Sequence, residues 1–396
     1  MNTAVIGAQW GDEGKAKMVD YLAHLYGTTT SIRYNGGNNA GHTTEDPDGT
    51  RLAYHLFPAS ASQQGMISIL ARGVVADPEI LIEEIRLIRK RNPSATLMVD
   101  PRVHVILPIH KHVDNQMSGV IDLGSTKRGV GPAQADKLYR IGLSYEELLQ
   151  GQLVDSRIRE IYAAHGQLEL PVDLLEQIWY WAETVSALDV VKDTSQHMIR
   201  SAVGSGSALF AGAHGMALDI NSHDYPFVTT SPCSLAGAGV GAGIDPRSIT
   251  NAIGVTKAYS TRIGTGPFPT EITVPTIIEH IREKGHEWGS TTGRPRRIGW
   301  LDLPQIEESN QEIGYDGLAL TNLDVLSGLG DVGIRPVEGD TMHWYPGWTE
   351  DITSKRRVED LPPAAVDLVQ GIQDELRIPI RFISVGPQRD QTIEVV

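Results

Sequence analysis

The chain has 396 residues, of which 40% are hydrophobic, and a formal charge of -15. That length supplies a sizeable core, and the negative balance argues against duplex nucleic acid or an anionic membrane as a large partner, though local Lys and Arg can still grip a small anion. The single Cys233 excludes an intramolecular disulfide framework, no charged n-region with an apolar h-region opens the chain, and no apolar run reaches about 18 residues. A cytoplasmic protein is expected, in a host cytoplasm if a phage encodes it.

In chain order, Thr3 to Ala8 reads as a buried strand, and Val19, Leu22, Ala23 and Tyr26 mark one face of a following helix. Between them lies Gln9-Trp10-Gly11-Asp12-Glu13-Gly14-Lys15. Its glycines let backbone N–H groups turn toward a phosphate, the helix N-terminus adds its positive dipole end, and Lys15 supplies a cation. A Walker A loop needs Gly-x4-Gly-Lys-Ser/Thr; here the spacing is wider, and Ala16 stands where a hydroxyl would hold magnesium. Asp12 in such a loop repels phosphate unless it holds a metal or works as a base. Ser31 to Tyr34 is a short strand running into Asn35-Gly36-Gly37-Asn38-Asn39-Ala40-Gly41-His42-Thr43, a poor core segment and a good ligand loop.

Met66 to Val75 reads as a strand, Pro78 to Lys90 as a helix, and Val103 to Pro108 as a buried strand. Gly124 to Pro132 packs hydroxyls, cations and glycines into a loop suited to a polyanion. Leu148 to about Val203 has helical period, and Trp179-Tyr180-Trp181 is expected in the core. Ala208 to Phe210 is a strand before Ala211-Gly212-Ala213-His214-Gly215, and the Gly/Ala run Leu235 to Gly243 implies close backbone approach. In Gly289 to Arg297, Arg294, Arg296 and Arg297 follow Thr291 and Thr292, a set that suits a dicarboxylate because guanidinium forks match carboxylate oxygens. Gly317 to Leu320 is a strand ending in Thr321-Asn322-Leu323-Asp324. The last helix, containing Ala365 to Leu376, leads to a strand Ile378 to Ile383 and Ser384-Val385-Gly386-Pro387.

Gln-Trp-Gly-Asp-Glu-Gly-Lys resembles the signature of adenylosuccinate synthetase, the family that joins L-aspartate to C6 of a purine nucleotide with a nucleoside triphosphate. Five further motifs, in the right order, carry the resemblance from Val5 to about Arg389. It implies one large α/β domain over residues 1–396, on a central mostly parallel sheet, with a helical subdomain near 145–203; the alternating strand and helix patterns agree. It makes Asp12 the base, His42 the phosphoryl-stabilising histidine and Lys15 a phosphate cation, with Mg2+ held by Asp12 and Gly41. Gly11, Glu13, Gly14, Asn39, Thr126, His214, Thr229 and Ile263 become the phosphate and acceptor-purine set, and Arg140 reaches the partner's substrate in a homodimer. Thr291, Thr292, Arg294 and Arg296 would hold L-aspartate. Asn322, Asp324, Ser384, Gly386 and Pro387 would hold the donor base.

The sequence departs from the family pattern at Asn38, Ala211, His214 and Asn322, where His, Glu, Gln and Lys are usual. Those departures favour the phage branch, N6-succino-2-amino-2′-deoxyadenylate synthase, which takes dGMP with ATP or dATP. The alternative is the IMP and GTP enzyme of AMP biosynthesis. A non-catalytic GTPase-like switch is more distant, since it has no use for the 291–297 loop.

Overall fold

Short runs of small and β-branched residues, the central ones buried along their whole length, pair into a nine-stranded sheet. From edge to edge it runs Thr392–Glu394, Ile380–Ser384, Gly317–Thr321, Asn251–Lys257, Thr3–Gly7, Ala208–Gly215, Thr30–Arg33, Ile67–Leu70 and Thr96–Val99. Only the Thr392–Glu394 pairing is antiparallel. Strands buried on both faces need helices on both sides, which is the usual condition of a parallel sheet. Alternate residues accordingly enter opposite layers, Ala4 and Ile6 one core and Val5 the other. The computed structural model describes residues 1–45, 49–121, 123–151, 154–167, 171–289 and 293–395.

Thr3–Gly7 is central, and the glycine loop leaves its carboxyl end for the helix Lys15–Leu25. The 34–41 loop, which runs into the strand His42–Glu45, and the 322–326 turn leave the carboxyl ends of other strands, the rim where open α/β sheets bind ligands.

Several elements differ from the sequence reading. The Met66–Val75 run breaks into Ile67–Leu70 and a two-residue strand, Val75–Ala76. The break falls at Gly73, where a Cβ would lie 2.1 Å from the Tyr34 carbonyl. The Val103–Pro108 run keeps only His104–Val105 as strand, because Pro108 opens a helix, Pro108–Val120. The strand at Ala208 runs on to Gly215, since Ala211 pairs with Val5 on one side and Arg33 on the other. Among the described residues near 145–203 the helical region is four helices, Tyr145–Leu148, Val154–Ala164, Val172–Leu188 and Ser195–Ser205. Of the aromatic triplet only Trp181 is core; Trp179 and Tyr180 are exposed, and the Trp179 indole donates to Asp155.

Candidate active site

The glycine loop turns through three left-handed residues, Gly11 (φ 88°), Asp12 (φ 59°) and Gly14 (φ 85°), which bends its amides inward. The first anion they meet is internal. The buried Glu13 carboxylate accepts the amides of Gln9 (3.2 Å) and Gly11 (2.8 Å) and the Lys15 ammonium. It fills the space beside Gly7 and Gly215, where a Cβ would sit 2.5 and 2.2 Å from Oε1. Glu13 therefore braces the loop from beneath; a carboxylate satisfied by its own amides has no attraction for phosphate. Gly14 packs on Thr321, whose hydroxyl donates 2.6 Å to the Glu13 carbonyl.

In front of the loop lies a cleft of about 300 Å³. It brings together Gly11, Asp12, Asn39, Gly41, Thr126, His214, Thr229 and Ile263 from six stretches of sequence. Trp10 closes one wall; its indole donates to Asp224 (2.5 Å), which also accepts Arg262 (2.7 Å). The anion loop is pinned by Asp114, which accepts the Ser125 hydroxyl (2.6 Å) and the Gly129 amide (2.8 Å). Behind it, Asp136 accepts His110 (3.0 Å) and His165 (2.9 Å). That trio is the one cluster among the described residues with metal-ligand spacing. His110 Nδ1, however, accepts the Leu107 amide at 2.9 Å, so Nε2 carries the ring proton and faces Asp136 as a donor. The trio is a brace for the helix Val130–Tyr139.

His42, next to the cleft-lining Gly41, is buried, with Arg33 NH1 2.8 and 2.9 Å from its ring nitrogens. Burial, then Arg33 and Lys15, push its pKa well below the ordinary histidine value, so the ring is neutral. His214 is lowered to about 3, by burial and then by the same cations, and shares a 3.1 Å contact with Asn39. Burial alone would raise the Asp12 carboxyl, but Arg296, Lys257 and Lys15 outweigh it and hold Asp12 below the usual range, ionised as a base must be.

The arginine run divides. Arg296 is buried, 2.7 Å from Asp12 and 2.6 Å from Glu287. Arg297 is taken by Glu271 and by the carbonyls of 264–266. Arg294 is exposed. Thr291 and Thr292 lie outside the described residues. Arg140 caps the helix Val130–Tyr139 in the left-handed conformation and is exposed, outside this cleft. Asn38 is buried away from the cleft lining and Ala211 sits inside the sheet, so of the departures expected around the acceptor base only His214 is on its wall.

The residues expected to hold the donor base gather around Lys17, beyond the glycine loop. Asn322, left-handed at φ 57°, starts the turn that carries Asp324. Burial raises the Asp324 carboxyl to about 6. Ser384 and Gly386 are buried and Pro387 is exposed. Lys17, which the sequence reading passed over, joins the two sides: its ammonium donates to Ser384 Oγ (2.6 Å) and to the carbonyls of Gly386 (2.7 Å) and Gln391 (2.8 Å). Glu287, Lys257, Arg33 and Asp114 were also passed over. Their signal is a charged residue inside an apolar or glycine-rich run, visible at Arg33 and Lys257.

A glycine loop on the rim of a parallel sheet, with an ionised acid facing a cleft and a buried guanidinium beside it, suits an enzyme that uses a nucleotide and a carboxylate substrate. The adenylosuccinate synthetase family model matches residues 4–336 and 339–393. The chain is 38% identical to an adenylosuccinate synthetase of Moorella thermoacetica, over 98% of this chain and 97% of that one. The fully ligated adenylosuccinate synthetase of Plasmodium falciparum superposes with a TM-score of 0.91 and 31% identity, each chain covered completely. The cyanophage S-2L succinoaminodeoxyadenylate synthetase, bound to dGMP and dATP, gives a TM-score of 0.68 at 19% identity, covering 99% and 94%, a likeness of fold. The chain belongs to the adenylosuccinate synthetase family and is a C–N ligase for a purine nucleotide and L-aspartate. The GTPase-like switch is set aside.

Proposed function

We propose that this chain joins L-aspartate to C6 of IMP with GTP as phosphoryl donor, the reading that the full-length identity to bacterial adenylosuccinate synthetases carries. Asp12 takes the N1 proton of the purine, O6 attacks the γ-phosphorus, and GDP leaves. The aspartate amine then adds at C6 and phosphate departs. Neutral His42 keeps an N–H to donate to the transferring phosphoryl group, and the nearby cations Arg33 and Lys15 favour the charge that develops there. The oxygen donors at Asp12 and Gly41, on one cleft, fit Mg2+, which would screen the triphosphate charge. Arg296 is placed to take a substrate carboxylate, with Thr291, Thr292 and Arg294 as expected companions.

The dGMP reading is the weaker one, because the relatives matched over their full length are adenylosuccinate synthetases while the dGMP-bound phage enzyme shares only 19% identity. Asp324 favours guanine in the donor, since a carboxylate can accept from guanine N1–H and N2–H while adenine offers no such pair. ATP or dATP is accordingly the weaker donor. Homodimerisation with Arg140 acting in trans is supported by the apolar surface beside it: Leu138, Tyr139, Val120 and Met117 are all exposed. The test is a matrix of IMP, GMP and dGMP against GTP, ATP and dATP, with L-aspartate, read by product mass. IMP with GTP is expected to dominate; a dominant 2-amino product overturns the reading.

A further inference from the structure

The carboxylate of Glu287 is fully buried at the centre of a charged network that ends in two different substrate sites. His286 takes a left-handed conformation (φ 49°) after the helix Pro275–Gly285, and the chain then sends Glu287 inward. Glu287 Oε2 accepts Arg296 NH1 at 2.6 Å. Its Oε1 accepts Lys257 Nζ at 2.7 Å and the Tyr259 hydroxyl. On the far edge of the same guanidinium, Arg296 Nε lies 2.7 Å from Asp12 Oδ2 as an ion pair, with its N–H out of line and without a hydrogen-bond acceptor. On the other side, Asn322 Nδ2 donates to the Tyr259 oxygen at 3.3 Å.

Charges balance within this group: Glu287 and Asp12 against Lys257 and Arg296. A buried guanidinium fixed on one edge by Glu287 presents its other edge in a set orientation, here to the Asp12 carboxylate, and the same edge can take a substrate carboxylate when Asp12 turns to the purine. The hydroxyl of Tyr259 is shared between the acid that holds Arg296 and the amide at the start of the donor-base turn. Moving one end of the chain costs the other a hydrogen bond.

We propose that Glu287 is a positioning residue for L-aspartate, holding Arg296 by one edge, and that the Glu287–Tyr259–Asn322 chain couples the aspartate site to the donor-base site. The inference rests on the ligase reading of the carboxylate site. Contiguous hydrogen bonds carry coupling only where both ligands bias the same element, and here that element is the Glu287 carboxylate.

The test uses the full chain and three measurements. Glu287→Gln is expected to raise KM for L-aspartate about tenfold or more, while KM for IMP changes less than about threefold. The affinity of the wild type for GDP, titrated by calorimetry in saturating IMP with and without saturating L-aspartate, is expected to differ by about fivefold or more. In Tyr259→Phe, which keeps the ring and the Glu287 charge, that difference is expected to collapse to within about twofold. An E287Q variant that loses kcat and thermal stability together with an unchanged KM for L-aspartate overturns the positioning role. GDP affinity independent of aspartate in the wild type, or coupling intact in Tyr259→Phe, overturns the coupling; should E287Q not fold, this second arm decides. A wild type without aspartate-dependent phosphate release removes the ligase reading, and this inference with it.

Discussion

Glu84 lies on the helix Pro78–Arg91 with its carboxylate turned into the protein, where it accepts the amides of His55 (2.7 Å), Leu56 (3.1 Å) and Phe57 (2.5 Å). Glu84→Ala removes all of these acceptors at once. Leu56 and Phe57 are fully buried, so their amides have no water to turn to. At about 1–3 kcal/mol for each stranded donor the loss is about 2–6 kcal/mol, before any contribution from the His55 amide, which is nearer solvent. A folded chain commonly holds only about 5–15 kcal/mol in total, so the variant should unfold well before the wild type in urea, with an unchanged m-value. Glu84→Gln keeps one carbonyl oxygen but sets an NH2 group against the remaining amides, and should lose about half as much. The effect should reach catalysis too. His55 Nδ1 donates 2.8 Å to the Ala40 carbonyl, two residues from His42, so kcat should fall at temperatures where the variant is still folded. An alanine variant within about 1 kcal/mol of the wild type would mean that the amides find other acceptors, and the reasoning fails.

Asp12→Asn should keep nucleotide binding, because Asn tolerates the left-handed backbone, and lose about 10²-fold or more in kcat, read as phosphate release. Lys17 supplies a pH signature. Burial lowers its pKa from 10.5 to about 7, so between those values the unfolded chain binds the proton that the folded chain has shed. Stability should therefore rise with pH through that window, and Lys17→Met should flatten the rise in urea titrations at successive pH values. Mixing Arg140→Leu with Asp12→Asn should restore part of the activity if Arg140 acts across a dimer; no recovery, with subunit exchange shown by mass, argues for a role in cis or none.

The sheet was legible where burial on both faces left a continuous apolar run, as at Thr3–Gly7 and Gly317–Thr321. It was misread at Ala211–Gly215, because a strand of small residues and glycine looks like a loop until its partners on both sides are known. The same error carried into function: Ala211 reads as a base-site change in the sequence, and in the fold it is a sheet residue facing Val5 and Arg33. Asp12, Thr126 and His214, expected at the site from the family motifs, line one cleft. Glu287 and Lys17 were missed because their partners are distant in sequence, and a lone charged residue carries no sign of what it will meet. Glu13 was visible but assigned outward; only the empty space over Gly7 and Gly215 explains why it turns beneath the loop.

The contacts of Lys17 span nearly the whole polypeptide. Its partners Ser384 and Gly386 are 367 and 369 positions away, and Asp20 on the same helix accepts Arg389 across another 369. Closing a loop of that size is an entropic cost met only after the intervening sheet has formed. The helix after the glycine loop therefore meets the 384–391 turn only once the strands between them have paired. Two charged residues three positions apart, Lys17 and Asp20, thus tie the first helix to the last turn of the sheet. Removing that turn by truncation before residue 384 should leave both without these partners and lower stability and triphosphate binding together.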